Sequence, residues 1–358
     1  MTRILVTGAG GSPATNFVRS LRLAPEKFEL IGVDANKYYL QRAETNERYL
    51  VPPADDPDYF PIIRHLTEVR DVQCAYFQTD PEIAQVVGRL DELPLRTLLP
   101  SPRTVRILQD KFESYRRWSA AGIRVPRTRL IETDRDVELA FEDFGSPVWI
   151  RSVVSHGGGR GSFRAATVER ALNWMAQLGE LGPFTAAECL TPDSVTWLSI
   201  WKNGCLIVAQ GRKRLYWEFA NRAASGVTGL TGTGVTVADP IVDEVAQRAI
   251  LAVDEQPNGI FGVDLTCDQR GTPNPTEINV GRFFTTHLFF TRAGLNLPYI
   301  YVKLACDEEV ALPSPRINPL PPGLAWIRGM DFLPILTTVE EIEASAKTLA
   351  DLRAQIHR

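Results

Sequence analysis

Short apolar runs alternate with helix-like segments over the first hundred residues. Apolar runs at positions 4–6, 28–33, 49–51 and 74–78 are bounded by polar or glycine-rich stretches, which is typical of short buried strands. In the segment 59–70, apolar positions recur every three or four residues, and this spacing predicts an amphipathic helix. Because strands that alternate with helices are typical of parallel sheets, this region is predicted to form an α/β unit.

The pattern changes after a proline-rich stretch at 94–102, which we interpret as a domain boundary. The segment 104–121 is predicted to form one amphipathic helix, ended by Gly122. Farther on, two pairs of apolar runs are separated by turn sequences, Asn203-Gly204 in the first pair and 268–271 in the second. These pairs predict β-hairpins, and hence antiparallel sheet, in the later part of the chain.

The second hairpin carries three oxygen-bearing side chains. Asp264 lies on its first strand, 260–267, and Glu277 and Asn279 lie two residues apart on its second strand, 275–280. Since side chains alternate along a strand, Glu277 and Asn279 are expected on one face, where Asp264 could join them. Carboxylate and amide oxygens suit Mg²⁺, although the same pattern also fits the solvated face of an ordinary hairpin.

A glycine-rich turn follows the first strand, in Thr7-Gly-Ala-Gly-Gly-Ser-Pro13, and Asp34 ends the second strand. A turn of this kind, with an acidic residue about 20 residues later, is typical of dinucleotide-binding domains. An NAD(P)-dependent oxidoreductase similar to the short-chain dehydrogenases and epimerases is therefore an alternative interpretation. Its Tyr-x-x-x-Lys spacing occurs here as Tyr299 and Lys303, late in the chain and after the hairpin, which counts against an oxidoreductase.

Composition places the chain among ordinary globular proteins. Its 358 residues carry a net charge of −4, so no general attraction to nucleic acid is expected. The sequence has no apolar run of the roughly 20 residues that a membrane helix needs and no signal-peptide pattern, so a cytoplasmic location without membrane contact is predicted. The five cysteines show no CxxC spacing and the four histidines no HExxH pattern, which argues against a disulfide framework or a zinc site.

In their order along the chain, several motifs resemble those of the ATP-grasp family. A helix with Lys111 leads into a Gly-Ile turn, and a later strand ends in Arg151 before the glycine-rich segment 155–162. The run Thr185-Ala-Ala-Glu-Cys-Leu190 resembles the strand and linker that read adenine, and Glu277-Ile-Asn279 resembles the metal-binding end of the family. The N-terminal unit resembles the domain that precedes the ATP-grasp module in enzymes similar to the carbamoyl phosphate synthase large subunit.

The resemblance implies roles for particular residues. Those implied to bind ATP are Lys111, Arg151, Ser155, Gly157, Gly158, Gly159, Glu188, Cys189, Leu190 and Asp193. Those implied to bind Mg²⁺ are Asp264, Glu277 and Asn279, and those implied to steady an anionic intermediate are Arg212 and Arg282. Two positions depart from the family pattern: Arg151 stands where a lysine is usual, and Arg282 stands one place later than the commonest Glu-x-Asn-x-Arg spacing.

The fold that the resemblance implies is α/β, with a Rossmann-like parallel-sheet domain followed by an ATP-grasp module of two α+β lobes. The expected boundaries are 1–100 for the N-terminal domain, 101–187 and 188–312 for the two lobes, and 313–358 for a C-terminal extension. The implied activity is that of a ligase that uses ATP and Mg²⁺ to activate a small carboxylate as an acyl phosphate and joins it to a small amine, amino acids included. A homodimer is among the assemblies that the sequence permits, and a non-catalytic ATP-binding protein is a second alternative.

Overall fold

The fold is described from a computed structural model, which describes residues 1–154, 161–179, 182–218, 230–330, 332–333 and 335–357. Within these residues the strands form one parallel and two antiparallel sheets. No helix in these ranges is both long enough and apolar enough to cross a membrane.

The first sheet is parallel and is built from the first hundred residues. Its strands are β1 (Arg3–Val6), β2 (Glu29–Asp34), β3 (Glu47–Leu50) and β4 (Cys74–Tyr76), in the spatial order β3-β2-β1-β4. The helices of this unit are α1 (Ser12–Arg22), α2 (Lys37–Leu40), α3 (Tyr59–Val69) and α4 (Asp80–Val86). Leu5 packs in one core cluster and its neighbours Ile4 and Val6 in another, so both faces of β1 are buried. The α/β unit predicted from the alternating pattern is confirmed.

The segment that was predicted as one helix forms two. Helix α5 (Pro102–Gln109) ends where Asp110 becomes extended, at φ −97° and ψ 108°, and α6 (Lys111–Ala120) begins at the next residue. The Asp110 carboxylate accepts a hydrogen bond from the Glu113 amide at 2.8 Å and thereby caps α6. The single-helix prediction is wrong because Asp110 starts a new helix, and this break puts Lys111 in the first turn of α6, where its amide donates to the Val153 carbonyl at 3.0 Å.

The second sheet is antiparallel. Its strands are β5 (Thr128–Ile131), β6 (Val148–Ser152), β7 (Ser162–Ala165) and β8 (Phe184–Glu188), in the order β5-β8-β6-β7. Helices α7 (Asp134–Phe144) and α8 (Val168–Gln177) cover the face on which Val148 and Ile150 are fully buried. Because side chains alternate along β6, Trp149 and Arg151 lie on the other face.

The third sheet is the largest. Its strands are β9 (Ser194–Lys202), β10 (Cys205–Glu218), β11 (Leu230–Val237), β12 (Gly259–Cys267), β13 (Pro273–Val280) and β14 (Ala325–Ile327), in the order β13-β12-β9-β10-β11-β14. Helices α9 (Pro240–Leu251), α10 (His287–Arg292) and α11 (Leu297–Ala305) accompany it. Strand β9 pairs antiparallel with β10, and β12 pairs antiparallel with β13, so both predicted hairpins are confirmed.

The C-terminal segment returns to the first sheet. Helix α12 (Val339–Ile356) packs against β3, α2 and α3, and its Leu352 joins the core of that unit. Arg353 pairs with Asp56 at 2.6 Å, and Glu343 pairs with Lys37 at 2.5 Å. Since half-exposed ion pairs contribute little individually, Leu352 and the partly buried Leu349 and Ile356, which pack on the same core, anchor this helix.

Candidate active site

Four side chains stand in one row across the third sheet. Glu277 on β13 is in register with Asp264 on β12, Asp264 with Thr196 on β9, and Thr196 with Arg212 on β10. Residues in register on neighbouring strands lie about 5 Å apart and point to the same face. We call these four residues the sheet row. The row has carboxylates at one end and a guanidinium group at the other.

The sheet row borders a cavity of about 590 Å³ that is also lined by residues of the second sheet. Of the predicted site residues, those that line the cavity are Lys111, Arg151, Glu188, Leu190, Arg212, Asp264, Glu277, Asn279 and Arg282. Cys189 and Asp193 are not among the lining residues. The predicted loop residues Ser155, Gly157, Gly158 and Gly159 lie outside the described residues.

The Asp264 carboxylate is held by side chains on both neighbouring strands. Its Oδ1 accepts a hydrogen bond from Thr196 Oγ1 at 2.5 Å, and its Oδ2 accepts one from Asn279 Nδ2 at 3.1 Å. The amide oxygen of Asn279 in turn accepts from Arg282 Nη2 at 2.7 Å. Asp264 and Asn279 therefore lie close together, with the amide nitrogen toward the carboxylate.

The Glu277 carboxylate faces two cationic side chains across the cavity. Lys111 Nζ lies 4.0 Å from Glu277 Oε1, and the Arg151 guanidinium donates to the Thr276 carbonyl at 2.8 Å. Burial raises the pKa of Glu277, but Lys111 and Arg151 outweigh this effect, so its pKa lies below the ordinary value. Burial lowers the pKa of Lys111, which Glu277 partly offsets. Lys111 and Arg151 are thus placed together beside Glu277.

The donor set fits Mg²⁺. Asp264 and Glu277 supply carboxylate oxygens and Asn279 supplies an amide oxygen, which are the hard ligands that this ion prefers. The Asn279 amide oxygen accepts from Arg282 with one lone pair and keeps a second lone pair for a metal ion. In the described part of the chain, no group of three or more His, Cys, Asp or Glu side chains could hold a metal ion. Two carboxylates and one amide suit an ion that completes its shell with water and phosphate oxygens.

Arg212 is a buried cation at the other end of the sheet row. It is 2% exposed, and its two terminal nitrogens donate to Thr286 Oγ1 and Thr196 Oγ1, both at 2.7 Å. Its Nε has no hydrogen-bond partner among the described residues. Burial, together with the neighbouring Arg214, lowers the pKa of Arg212 to about 9. A buried guanidinium that meets hydroxyl groups rather than a carboxylate is well placed to receive an anionic ligand.

Two residues that were predicted to bind the nucleotide form ion pairs with other residues of the chain. Glu188 Oε2 accepts from Arg127 Nε at 2.7 Å, while Glu188 still lines the cavity. Asp193 pairs with Lys213 at 2.8 Å. Asp193 is therefore held in a partly exposed ion pair and is not among the residues that line the cavity.

Several lining residues were missed in the sequence. Among them are Ser12 and Pro13 at the start of α1, together with Tyr115, Trp149, Thr196, Arg214 and Trp217. Arg214 could have been found, because it stands two residues after Arg212 on one strand and so shares its face. It lies 3.7 Å from Asp264 and stacks on Trp217 at 3.6 Å. Thr196 carried no signal, since only the pairing of β9 with β10 and β12 places it between Arg212 and Asp264.

The glycine-rich turn after β1 is contacted by other residues of the N-terminal unit. The Gly10 amide donates to Asp34 Oδ2 at 3.0 Å, and the Asn36 amide donates to Asp34 Oδ1 at 2.9 Å. Asp34, which a dinucleotide-binding domain would use for ribose, thus binds the turn itself. A Cβ atom on Gly10 would lie 1.8 Å from the Tyr39 carbonyl oxygen, so α2 packs directly on the turn. Packing accounts for this glycine without an NAD(P) cofactor.

We expect Gly10→Ala to lower the free energy of unfolding by at least about 3 kcal/mol, because backbone must move to admit the methyl group. Gly88→Ala is the matched control, since its Cβ would meet nothing within 4 Å, and it should change stability by about 1 kcal/mol or less. Urea denaturation of both variants tests this expectation. Equal stability of the two variants would contradict the packing explanation.

His287 lies at the start of α10, two residues after the lining residue Thr285. It is fully buried, and its Nδ1 lies 2.7 Å from the Phe284 carbonyl oxygen. Burial lowers the pKa of His287 from 6.5 to about 4. The unfolded chain therefore binds more protons than the folded chain between these pH values, and stability falls as the pH falls through this window.

From His287 alone, we expect the free energy of unfolding to be about 2 kcal/mol lower at pH 5 than at pH 7. His287→Gln should remove that part of the pH dependence, whatever its effect on stability at pH 7. Urea denaturation at both pH values measures the difference. An unchanged pH dependence in His287→Gln would show that this histidine is not held neutral by burial.

Comparison with known proteins identifies the fold. No family model and no curated protein matches the sequence. Carboxyaminoimidazole ribonucleotide synthase from Aspergillus clavatus, complexed with ATP, is 14% identical over 99% of each chain, with a TM-score of 0.67. N5-carboxyaminoimidazole synthetase from Staphylococcus aureus, complexed with ADP, is 14% identical over 87% of this chain and 79% of that chain, with a TM-score of 0.66.

A third solved structure differs in the activity that its name states. L-amino acid ligase from Bacillus licheniformis is 12% identical and covers 86% of this chain and 74% of that chain, with a TM-score of 0.63. Identities this low establish the fold alone. The chain therefore has the ATP-grasp fold that its motifs implied, with a parallel sheet followed by two α+β lobes.

Proposed function

We propose that this protein is an ATP-dependent ligase that activates a small carboxylate as an acyl phosphate and joins it to a small amine, with release of ADP and phosphate. The observation that carries the proposal is the sheet row. It places two carboxylates suited to Mg²⁺ in one row with a buried guanidinium group that, within the described residues, has no carboxylate partner in its hydrogen bonds. A metal–phosphate complex and an anionic acceptor would complement these two ends.

The charges of the cavity support an anionic pair of ligands. Among the described residues, five cationic side chains and three carboxylates line it, namely Lys111, Arg151, Arg212, Arg214 and Arg282 against Glu188, Asp264 and Glu277. This excess of positive charge suits a triphosphate together with a carboxylate. The volume of about 590 Å³ also lies within the usual range of ligand sites.

We assign the phosphates and the adenine of ATP to different sets of residues. Lys111 and Arg151 bind the phosphates, helped by backbone amides of the glycine-rich segment with Ser155, Gly157, Gly158 and Gly159. Glu188, Cys189 and Leu190 bind adenine, through the backbone in the case of Cys189, and Asp193 is the weakest of the proposed nucleotide contacts because Lys213 already pairs with it. Arg151 keeps the positive charge of the usual lysine and adds a planar fork of donors, so phosphate binding is retained.

The Mg²⁺ ion would be held by Asp264, Glu277 and Asn279, and when bound it would neutralise negative charge on the phosphates. An oxygen of the substrate carboxylate attacks the γ-phosphorus of ATP, the bond to the β-phosphate oxygen breaks, and ADP leaves. The amine nitrogen then attacks the acyl carbon, phosphate leaves with the bonding electron pair, and the amine loses a proton. Arg212 and Arg282 stabilise the negative charge of the acid and of the acyl phosphate. No side chain forms a covalent bond with substrate.

The solved structures with this fold support the choice of cofactor. The Aspergillus clavatus synthase is in complex with ATP and the Staphylococcus aureus synthetase with ADP. Another structure of this fold, the biotin carboxylase domain of a 2-oxoglutarate carboxylase, is 13% identical with a TM-score of 0.67 and is in complex with MgADP.

We further propose the domain limits 1–100, 101–187, 188–312 and 313–358. The acid and the amine are small molecules, and the cytoplasmic location and the homodimer stay predictions.

The test is a screen of amino acids and other small acids, alone and with amines, for ADP release in the presence of Mg²⁺, with the product identified by mass. We expect ADP release that depends on both the acid and Mg²⁺. ATP binding without ADP release for any mixture would instead indicate a non-catalytic ATP-binding protein. Binding of NAD(P)H without any effect of ATP would contradict the proposal and favour an oxidoreductase.

A further inference from the structure

The end of β13 is fastened to the N-terminal unit. Gly281 has a left-handed φ of +77°, and a Cβ atom there would lie 3.2 Å from both Ile83 Cδ1 and Leu99 Cδ2. Two residues later, the Phe283 amide donates to the Tyr76 hydroxyl at 3.0 Å. The segment that follows the Mg²⁺-type hairpin thus packs on α4 and on the end of β4. Its side chains are positioned by a different sheet from the one that carries the sheet row.

Asp80 forms an ion pair with Arg282 at this junction. It is the first residue of α4, and its two carboxylate oxygens accept from Arg282 Nε at 2.5 Å and Arg282 Nη2 at 3.1 Å. Both side chains are largely buried, with 15% of Arg282 and 14% of Asp80 exposed. A bidentate pair of this kind fixes the plane of the guanidinium group as well as its position. Arg282 lines the cavity and Asp80 does not.

A chain of hydrogen bonds runs from Asp80 to the sheet row. The Arg282 Nη2 that binds Asp80 also donates to Asn279 Oδ1 at 2.7 Å, and Asn279 Nδ2 donates to Asp264 Oδ2 at 3.1 Å. Asp80, Arg282, Asn279 and Asp264 therefore form one connected set, which we call the hairpin relay. Its first member belongs to the N-terminal unit, 202 positions before Arg282 in the sequence.

We propose that Asp80 is a positioning residue, which sets the orientation of Asp264 and Asn279 through Arg282. This inference rests on the proposed function, because it assigns a purpose to the contact only if the hairpin binds Mg²⁺. It also accounts for the position of Arg282, one place later than the usual spacing. The left-handed turn at Gly281 takes up the additional residue, and Asp80 then holds the guanidinium beside Asn279.

The electrostatics of the site explain why the charge of Asp80 matters. Arg282 also interacts with Glu277, the other carboxylate of the sheet row, and Asp80 opposes that attraction by binding the guanidinium from outside the cavity. Without a negative charge at position 80, Arg282 is free to turn toward Glu277 and to compete with the metal ion. Residues that orient metal ligands typically change metal affinity by about 10–100-fold when they are replaced.

The experiment is a calorimetric titration of ADP into the full chain at a series of Mg²⁺ concentrations, for wild type, Asp80→Asn and Asp80→Glu. We expect the Mg²⁺ concentration for half-maximal ADP binding to rise at least about tenfold in Asp80→Asn and to recover in part in Asp80→Glu. Glu26→Gln is the matched control. It removes a carboxylate that pairs with Lys303 at 2.9 Å, away from the cavity, and should leave the Mg²⁺ dependence unchanged.

A double variant tests whether Asp80 acts through Arg282. The double variant Asp80→Asn with Arg282→Gln should need no higher Mg²⁺ concentration for half-maximal ADP binding than Arg282→Gln alone, because both changes break the same hairpin relay. Additive effects, or an Asp80→Asn protein with wild-type Mg²⁺ dependence, would overturn the assignment of Asp80 while leaving the ligase proposal intact. A wild-type protein that binds ADP without any Mg²⁺ dependence would overturn both.

Discussion

Glu277→Ala is expected to abolish ADP formation, with a fall of at least about a thousandfold in turnover. Glu277 lies at the end of the sheet row, in register with Asp264 and 4.0 Å from Lys111. Its removal takes away one of two carboxylates proposed for Mg²⁺ and also the acidic partner of Lys111, the lysine proposed to bind phosphate. The rate of ADP release at saturating Mg²⁺, ATP and acid measures the effect.

Two further variants separate chemistry from folding in this test. Glu277→Gln keeps the size of the side chain and removes its charge, so it should be as inactive as Glu277→Ala, and a cooperative urea transition shows that the variant is folded. Glu244→Gln changes an exposed carboxylate on α9 and should retain full activity. Turnover near the wild-type level in either Glu277 variant would refute the metal assignment.

Arg212→Met is expected to stabilise the protein and to inactivate it. Burial lowers the pKa of Arg212 to about 9, which means that its charge is costly in the folded state. An apolar side chain of similar length should therefore raise the free energy of unfolding by about 1–4 kcal/mol. Because the same charge is proposed to bind the substrate acid, acid-dependent ADP release should fall at least about a hundredfold.

The measurements for Arg212→Met are urea denaturation and steady-state kinetics on one preparation. Binding of ADP with Mg²⁺ should stay within about threefold of the wild type, since Arg212 is assigned to the acid and not to the nucleotide. Arg212→Lys keeps a charge at the same place, so it should gain no stability and retain part of the activity. A variant that is more stable and still fully active would show that the buried guanidinium has no functional partner.

The hairpin could be predicted because its information is local. A period of two along β13 puts Glu277 and Asn279 on one face, and a polar turn between apolar runs fixes the pairing with β12. The same reasoning extends from Arg212 to Arg214. The alternation of strands and helices predicted the parallel sheet in the same way, from patterns that extend over fewer than about 20 residues.

The remaining parts of the site depend on contacts between distant segments. Thr196 joins the sheet row only because β9 lies between β10 and β12, and a threonine in a strand has no signal of its own. Asp80 resembles any acidic residue at the start of a helix, where a negative charge interacts favourably with the helix dipole. The break between α5 and α6 was missed because the apolar pattern is helical on both sides of Asp110, and only the structure shows that this residue is extended. The glycine-rich turn suggested an NAD(P)-binding site as an alternative, because its packing against Tyr39 is not visible in the sequence.

The central claim is that Asp264 and Glu277 share a metal ion that also contacts a nucleotide phosphate. A crystal of the protein grown with ADP and Mn²⁺ tests this claim most directly, because the anomalous signal of Mn²⁺ locates the ion. We expect an anomalous peak within roughly 2.3 Å of an oxygen of each carboxylate, with a phosphate of ADP as a further ligand. A peak that touches neither carboxylate, or a nucleotide bound outside the cavity, would contradict the claim.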